Sequence, residues 1–210
     1  MKKALFSIMC VSCSFLLIGC ATGKFVYIPS DKPALVKNSL EVDKSRDSTW
    51  NQLIAGLSSG FFVINNMDKQ SGFINLSYTG DPEKYVDGGE LCHTVSNLRG
   101  ERTYRFPASR ANAQFEGMVG NTLCGFNRQL DLEGRINILL SELAPSHTRL
   151  TINTRYILSL KVTGQSVTGE QVAPYQETIS FNTGQSTKSN GGTTYRSNGK
   201  LEETILEIFK

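Results

Sequence analysis

The sequence is poor in the residues and motifs that enzymes most often use. Its 210 residues include only two histidines, His93 and His147. It contains no G-x-S-x-G nucleophile elbow, no H-E-x-x-H zinc motif, no phosphate-binding glycine loop and no dinucleotide-binding fingerprint. Nucleophilic catalysis by a cysteine would need a free thiol beside an imidazole. These absences favour a protein that is not an enzyme.

The chain also lacks an excess of charge of one sign. Its formal net charge is +3, and removal of a signal that contains Lys2 and Lys3 would bring it closer to neutrality. Domains that bind DNA or RNA usually carry a clustered basic patch. The charge therefore argues against nucleic acid as a partner.

Only the N-terminus contains a long apolar run. The run follows Lys2 and Lys3, extends from Ala4 to Ile18 and ends in Gly19-Cys20. It is shorter than the roughly 20 residues that a helix needs to cross a bilayer. A charged start, a short apolar segment and a small residue at the cleavage point are typical of an export signal. We therefore predict a signal peptide over residues 1–19 rather than a transmembrane anchor.

The ending Leu17-Ile18-Gly19-Cys20 resembles the lipobox of bacterial lipoproteins. In that family the cysteine is lipidated, becomes the first residue of the mature chain, and holds it to a membrane through acyl chains such as palmitate. The resemblance implies lipidation of Cys20. It also implies an outer-membrane location facing the periplasm, because Ala21 is not the aspartate that favours inner-membrane retention. The alternative is an ordinary signal peptide with a coincidental cysteine.

The segment after the signal has no sustained periodicity. Residues 20–45 contain Pro29, Pro33 and scattered lysines, with one brief apolar stretch, Phe25-Val26-Tyr27-Ile28. We predict that this segment is a lipidated tether between the membrane and a folded domain.

Two cysteines remain beyond Cys20, namely Cys92 and Cys124. Two thiols in an oxidising compartment most often form a disulfide, which we predict here. A reactive or metal-binding pair is the alternative, because His93 is adjacent to Cys92. Zinc sites in small domains usually combine two close pairs of ligands, and this chain has only one. We therefore expect neither a metal nor another cofactor.

Hydrophobic periodicity predicts two helices and a hairpin. Apolar residues three and four apart from Trp50 to Leu57 indicate a helix over residues 46–59. Residues 61–64 and 73–78 then indicate two strands joined by a polar turn. Leu201, Ile205 and Ile208 indicate a C-terminal helix.

Period-two alternation is clearest over residues 150–162, with partner strands at 136–140 and 175–181. We predict that these strands form an antiparallel meander. Residues 91–128 show no clear period apart from a strand at 104–106. Residues 184–199 are rich in Gly, Ser, Thr and Asn and predict a mobile loop, in which Tyr195 and Arg196 are candidate contact points for a partner.

Together these elements predict an α+β fold for residues 46–210. An antiparallel sheet is expected to be covered on one face by the helix after the tether and by the C-terminal helix. The order of the elements also suggests two similar halves.

The segment 50–78, from Trp50 through Gly60-Phe61 to Tyr78, resembles the helix-grip unit of BamC-type lipoproteins. In that family a lipidated, extended N-terminal segment leads into small helix-on-sheet domains that join an outer-membrane assembly complex. This chain departs from the family in its disulfide candidate and in the glycine-rich loop near its end.

The leading functional hypothesis is a non-enzymatic outer-membrane lipoprotein that serves as a scaffold or accessory subunit of an envelope assembly or secretion complex. One alternative is a periplasmic carrier that holds an apolar ligand between sheet and helix, near Trp50 and Tyr156. The other alternative is an envelope hydrolase, which requires a cleft where His147 or His93 meets a carboxylate or a thiol.

Overall fold

The computed structural model describes residues 21–31 and 36–210 and consists mainly of β-strands. Strands hold 61% of the described residues and helices 15%. The predicted α+β class is therefore wrong, and the chain has a β-rich fold with large antiparallel sheets. The difference arises because residues 91–128 and the described part of the predicted tether both form strands. The predicted signal peptide and Cys20 lie outside the described residues.

Residues 21–31 and 36–210 form thirteen strands, three α-helices and one 3₁₀ helix. Among these described helices, none is long and apolar enough to cross a membrane. The strands are β1 Thr22–Ile28, β2 Ser39–Val42, β3 Val63–Asp68, β4 Phe73–Gly80, β5 Val86–Asp87, β6 Glu90–Asn97, β7 Gly100–Pro107, β8 Asn112–Val119, β9 Thr122–Ala144, β10 His147–Ser166, β11 Gln171–Asn182, β12 Ser186–Lys188 and β13 Thr194–Ser197. The helices are α1 Arg46–Ser58, α2 Pro82–Tyr85, α3 Lys200–Leu206 and the 3₁₀ helix Glu207–Phe209.

A long hairpin formed by β9 and β10 is the centre of the fold. The two strands contain 23 and 20 residues and pair along their whole length. The predicted meander is confirmed, because β10 also pairs with β11, although all three strands are longer than predicted. Side chains of β9 alternate between buried and exposed, so one face of the hairpin is covered by protein and the other faces solvent.

Three sheets are built around this hairpin. The largest has the strand order β11-β10-β9-β4-β3, with β2 added on β10 and β8 added on β9. A second sheet has the order β1-β6-β7 and lies against β8. A third, small sheet joins β12, β13 and β5. The strands β6, β7 and β8 come from residues 91–128, where the sequence showed little periodicity.

Both predicted helices are present on the covered face of the long hairpin. Helix α1 buries Trp50, Leu53 and Leu57, and its first turn is capped by the Ser45 hydroxyl, which accepts a hydrogen bond from the Ser48 backbone N–H. Gly56 allows the C-terminal 3₁₀ helix to approach closely, since an added Cβ would lie 2.5 Å from Cγ2 of Ile208. Helix α3 buries Leu201 and Ile205 in the same core.

The predicted tether is part of the folded unit wherever the structure describes it. Strand β1 pairs with β6 over seven residues, from Thr22↔Ser96 to Ile28↔Glu90. Strand β2 pairs with β10 at Leu150↔Leu40 and its neighbours. The apolar stretch 25–28 gains a sheet edge and partial burial, which an extended tether would not provide. Residues 22–28 and 39–42 therefore belong to the paired strands of the folded unit.

Candidate functional site

The predicted disulfide is not formed in the structure, where Cys92 and Cys124 are both free thiols. Cys124 lies in β9 on the covered face and is 1% exposed. Cys92 lies in β6 next to His93, whose ring stacks on the interior residue Phe115. Because successive side chains of a strand point to opposite faces, the Cys92 thiol faces away from that interior. Two sulfur atoms directed to different faces cannot bond without movement of the backbone.

The predicted contact residues Tyr195 and Arg196 are not displayed on a mobile loop. Residues 184–199 contain β12 and β13, and Tyr195 is only 1% exposed. The Tyr195 hydroxyl accepts a hydrogen bond from the buried guanidinium of Arg128 at 3.0 Å. Arg196 donates to Asp87 at 3.0 Å and 3.1 Å, which joins β13 to β5. Both side chains therefore make contacts within the fold, and Tyr195 is buried instead of being displayed at the surface.

His147 lies between two carboxylates. Its Nε2 is 3.1 Å from Glu41 Oε2, and its Nδ1 is 2.9 Å from Asp43 Oδ1. These hydrogen bonds, that of Glu41 first, favour the imidazolium and raise the pKa of His147 above its ordinary value. Since both ring nitrogens are already engaged, the imidazole is poorly placed to take a proton from a substrate.

His93 lies in an aromatic cluster. Its ring centroid is 3.9 Å from that of Phe115 and 4.8 Å from that of Phe25. Burial, with a smaller effect of the nearby Arg128, lowers the pKa of His93 to about 4. His93 is therefore neutral at physiological pH, and its surroundings are those of a packing residue. The hydrolase hypothesis required a histidine that meets a carboxylate or a thiol in a cleft; among the described residues His147 meets the carboxylates of Glu41 and Asp43, which already engage both of its ring nitrogens.

We expect the two histidines to titrate on opposite sides of the ordinary value of about 6.5. His147 favours the folded state below pH 6.5, and this contribution is lost as the pH rises through its raised folded-state pKa. His93 has the opposite effect. As the pH falls from 6.5 to about 4, His93 is protonated in the unfolded chain but stays neutral in the folded chain, so the free energy of unfolding decreases. NMR titration of the imidazole resonances, assigned with His147→Gln and His93→Phe, measures both midpoints. Two midpoints near 6.5 would contradict both the contacts of His147 with carboxylates and the burial of His93.

The space where an apolar ligand was expected is filled by side chains. Tyr156 is fully buried, and its ring stacks on Phe181 with centroids 5.2 Å apart. Its hydroxyl donates a 2.7 Å hydrogen bond to the buried carboxyl group of Glu202. Trp50 is 7% exposed and belongs to the same core. A carrier site between sheet and helix is therefore not present at this position.

The solvent-facing side of the large sheet carries a continuous row of asparagines. We call the solvent-facing side chains of β4, of residues 132–139 in β9 and of residues 151–158 in β10 the open face. On it, Asn75 Nδ2 donates to Asn137 Oδ1 at 2.7 Å, and Asn65 in β3 donates to Asn75 Oδ1 at 3.0 Å. Asn137 lies opposite Asn153 in the strand register, and Asn153 accepts from Asn38 at 3.3 Å. Hydrogen bonds thus join Asn65, Asn75 and Asn137 in one group and Asn38 and Asn153 in another, so the amides within each group are ordered before any partner binds.

Two further rows flank the asparagines on the open face. On one side, Arg135 lies opposite Arg155 in the register. Arg135 is paired with Glu133 at 2.6 Å, whereas Arg155 forms no ion pair with a described residue. Like charges at opposed positions of a sheet destabilise it, so this pair costs stability. On the other side, Phe73 lies opposite Leu139, which is 44% exposed.

The open face was not recognised in the sequence because it depends on strand register. Asn75, Asn137 and Asn153 are far apart in the chain, and each occupies an ordinary outward position of an alternating strand. Their alignment appears only when β4, β9 and β10 are paired. No described group of three or more His, Cys, Asp or Glu residues could hold a metal ion.

No protein-family model matches this chain, and no curated protein or solved structure matches it.

Proposed function

We propose that this protein is a lipid-anchored, non-enzymatic accessory subunit of a bacterial envelope assembly or secretion complex. We further propose that it binds its partner protein through the open face. The observation that carries this proposal is the composition of that face, where Arg155 and the Phe73–Leu139 pair flank an ordered row of amides. The lipobox ending in Cys20 supports the lipid anchor.

The chemistry of the open face suits a protein partner. Arginine and aromatic residues are enriched at the centres of protein interfaces. Arg155 has no acidic partner among the described residues, so an acidic side chain of the partner would relieve the repulsion between Arg135 and Arg155. Leu139 would be buried by an apolar side chain of the same partner. The pre-ordered asparagine row reduces the entropy cost of forming hydrogen bonds at the interface.

The length of the sheet also fits a scaffold. A strand of 23 residues extends over about 75 Å at the usual rise of about 3.3 Å per residue. Its solvent-facing residues offer a long, stiff surface without a deep cleft at the asparagine row. Such a surface is suited to positioning another protein.

The anchor is tested with two cysteine variants of the full chain. We expect Cys20→Ser to release the protein from the membrane fraction, because the thioether cannot form. Cys13→Ser lies in the same predicted signal and should leave membrane attachment unchanged. Fractionation of the envelope measures how much of each variant is bound to the membrane. Membrane attachment of Cys20→Ser would contradict the lipid anchor.

The open face is tested by pull-down from crosslinked envelopes. We expect Leu139→Asp to reduce recovery of the partner at least about 10-fold, which corresponds to about 1.4 kcal/mol of binding free energy. The matched control is Leu98→Asp, since Leu98 is also an exposed leucine, at 83%, but lies in the β6–β7 turn. Recovery of the protein alone, or an equal loss in both variants, would refute the scaffold proposal.

A further inference from the structure

A groove lies at the other end of the large sheet from the asparagine row. Gly125, at the groove, and Asn137 are twelve positions apart in β9, which corresponds to about 40 Å along a strand. The groove has a volume of about 540 Å³, within the range of ligand sites in proteins. It is lined by Tyr104, Gln114, Phe115, Glu116, Gly125, Phe126, Asn127, Thr163, Gly164, Gln165 and Gln171.

The lining of the groove combines the ring of Tyr104 with side-chain amides. Gln114, Asn127 and Gln171 form no side-chain hydrogen bond with other described residues, so their donors and acceptors are available to a ligand. Gln165 uses its nitrogen to donate to the Gly169 carbonyl at 3.0 Å and keeps its oxygen free. Phe115 and Phe126 alternate with Gln114 and Asn127 along their strands, so their stacked rings point to the covered face.

The charge of the groove is already balanced. Glu116 is the only Asp or Glu among the lining residues, and no lining residue is a Lys, Arg or His. Its carboxylate accepts a 2.6 Å hydrogen bond from Nε of Arg102. An anionic ligand would meet no free cation here, and a cationic ligand would compete with Arg102. The groove therefore favours an uncharged polar ligand.

A glycine leaves the groove open at its centre. An added Cβ at Gly125 would meet no atom within 4 Å, and this residue is not among the glycines with a positive φ. The backbone therefore does not require glycine at this position, and glycine inside a strand normally weakens it. The missing side chain instead keeps space free between the amides of Gln114, Asn127 and Gln165.

We infer that this groove binds a short segment of an uncharged carbohydrate chain. Sugar rings present apolar C–H faces, which suit the ring of Tyr104, and a rim of hydroxyl or acetamido groups, which suits amides that both donate and accept. Gly125 provides the space that a ring needs to lie against the sheet. This inference does not depend on the open face or on its partner.

The test uses the full lipidated chain in a detergent that carries no sugar headgroup. The probes are chitotetraose, whose sugars carry acetamido groups, and maltotetraose, whose sugars carry hydroxyls alone. Isothermal titration calorimetry is expected to detect saturable binding of at least one probe. Binding of chitotetraose alone supports a site for amino-sugar glycans, and binding of both supports recognition through hydroxyls. Binding of neither overturns the inference.

A steric variant locates the site. Gly125→Val should reduce the affinity for the bound probe at least 10-fold while leaving thermal stability equal or higher, because valine is favoured in strands. Ser141→Val makes a similar change at the other end of β9 and should leave the affinity unchanged. Unchanged binding by Gly125→Val would exclude the groove as the site. Partner recovery through the open face, measured with Leu139→Asp, remains a separate readout.

Discussion

Replacing Tyr195 with alanine is expected to lower the free energy of unfolding by about 3–5 kcal/mol, as is typical when a large buried aromatic side chain is removed. The side chain is 1% exposed and fills space beside Gly88 and Ala108. Its hydroxyl also accepts a hydrogen bond from Arg128. Removal would leave both a cavity and a buried guanidinium with one partner fewer. Urea unfolding followed by the fluorescence of Trp50 measures the change.

Tyr175→Ala is the matched control for this prediction. Tyr175 is 39% exposed, and its hydroxyl donates to the exposed Glu177 at 2.6 Å. We expect a loss below about 1 kcal/mol, as for most exposed substitutions. The sequence pattern predicts the reverse order, because it places Tyr175 in a buried stripe and Tyr195 on a mobile loop. Equal losses for the two variants, or a larger loss for Tyr175→Ala, would support the sequence pattern over the structure.

A third variant separates the hydrogen bond from the packing. Tyr195→Phe keeps the ring and removes only the hydroxyl, so we expect a loss of about 1–2 kcal/mol. Arg128 would retain its bonds to the carbonyl oxygens of Ala108 and Arg110. A loss as large as that of Tyr195→Ala would mean that the arginine contact, and not the filled volume, provides most of the stabilisation.

The composition of residues 184–199 predicts a mobile loop for a physical reason. Gly, Ser, Thr and Asn bury little apolar surface, so a segment rich in them is normally unable to offset its loss of conformational entropy. Here Tyr195 supplies the apolar surface, and its partner Arg128 comes from β9, 67 positions earlier in the chain. No pattern within the segment reveals that partner.

Long-range pairing also explains which other predictions succeeded. The helix at 46–58 and the strands of the meander follow from periodicity within each segment, and the structure contains them. Strand β8 was unreadable because Phe115, Met118 and Val119 lack a clean alternation, and only its pairing with β9 makes it a strand. The open face combines residues from β4, β9 and β10, so no single segment could indicate it.

The groove was missed for a different reason. Its amides and its glycine are individually unremarkable in the sequence, and Gln114, Gly125 and Gln165 come from three strands. Gly125 also did not stand out, because residues 91–128 show no clear period that a glycine could interrupt. The role of Gly125 in keeping the groove open depends on the empty space above it, and that space is a property of the fold.

Glu202→Ala is expected to destabilise the protein by about 2–5 kcal/mol, because two buried donors would lose their acceptor. The Glu202 carboxyl group is 0% exposed and accepts hydrogen bonds from the hydroxyls of Tyr156 and Thr183, each at 2.7 Å. Tyr156 is fully buried, and no water could replace the lost acceptor without a space to enter. The contact also joins α3 to β10, so its loss should loosen the C-terminal helix.

Glu203→Ala provides a control that differs by one position. Glu203 is exposed and lies in the same first turn of α3, where both carboxyl groups experience the favourable end of the helix dipole. That effect is worth about 0.3–1 kcal/mol, and it should account for most of the loss in Glu203→Ala, since the ion pair of Glu203 with Lys210, at 4.0 Å, is exposed. The difference between the two variants therefore isolates the buried hydrogen bonds. From the sequence the two residues are interchangeable, so equal losses would show that Glu202 does not occupy the buried position described here.

A double variant tests whether the Glu202 contact stabilises the fold or only avoids a penalty. Replacing both partners with apolar residues of similar shape often leaves the free energy of unfolding nearly unchanged. Removing only one partner leaves the other buried without a hydrogen bond. Tyr156→Phe combined with Glu202→Leu should therefore cost less than the sum of the two single changes, by about 1–3 kcal/mol of coupling. Thr183 would still donate to the Thr154 carbonyl oxygen, from which it lies 3.3 Å. Additive losses in urea unfolding would mean that Tyr156 and Glu202 do not contact each other in the folded protein.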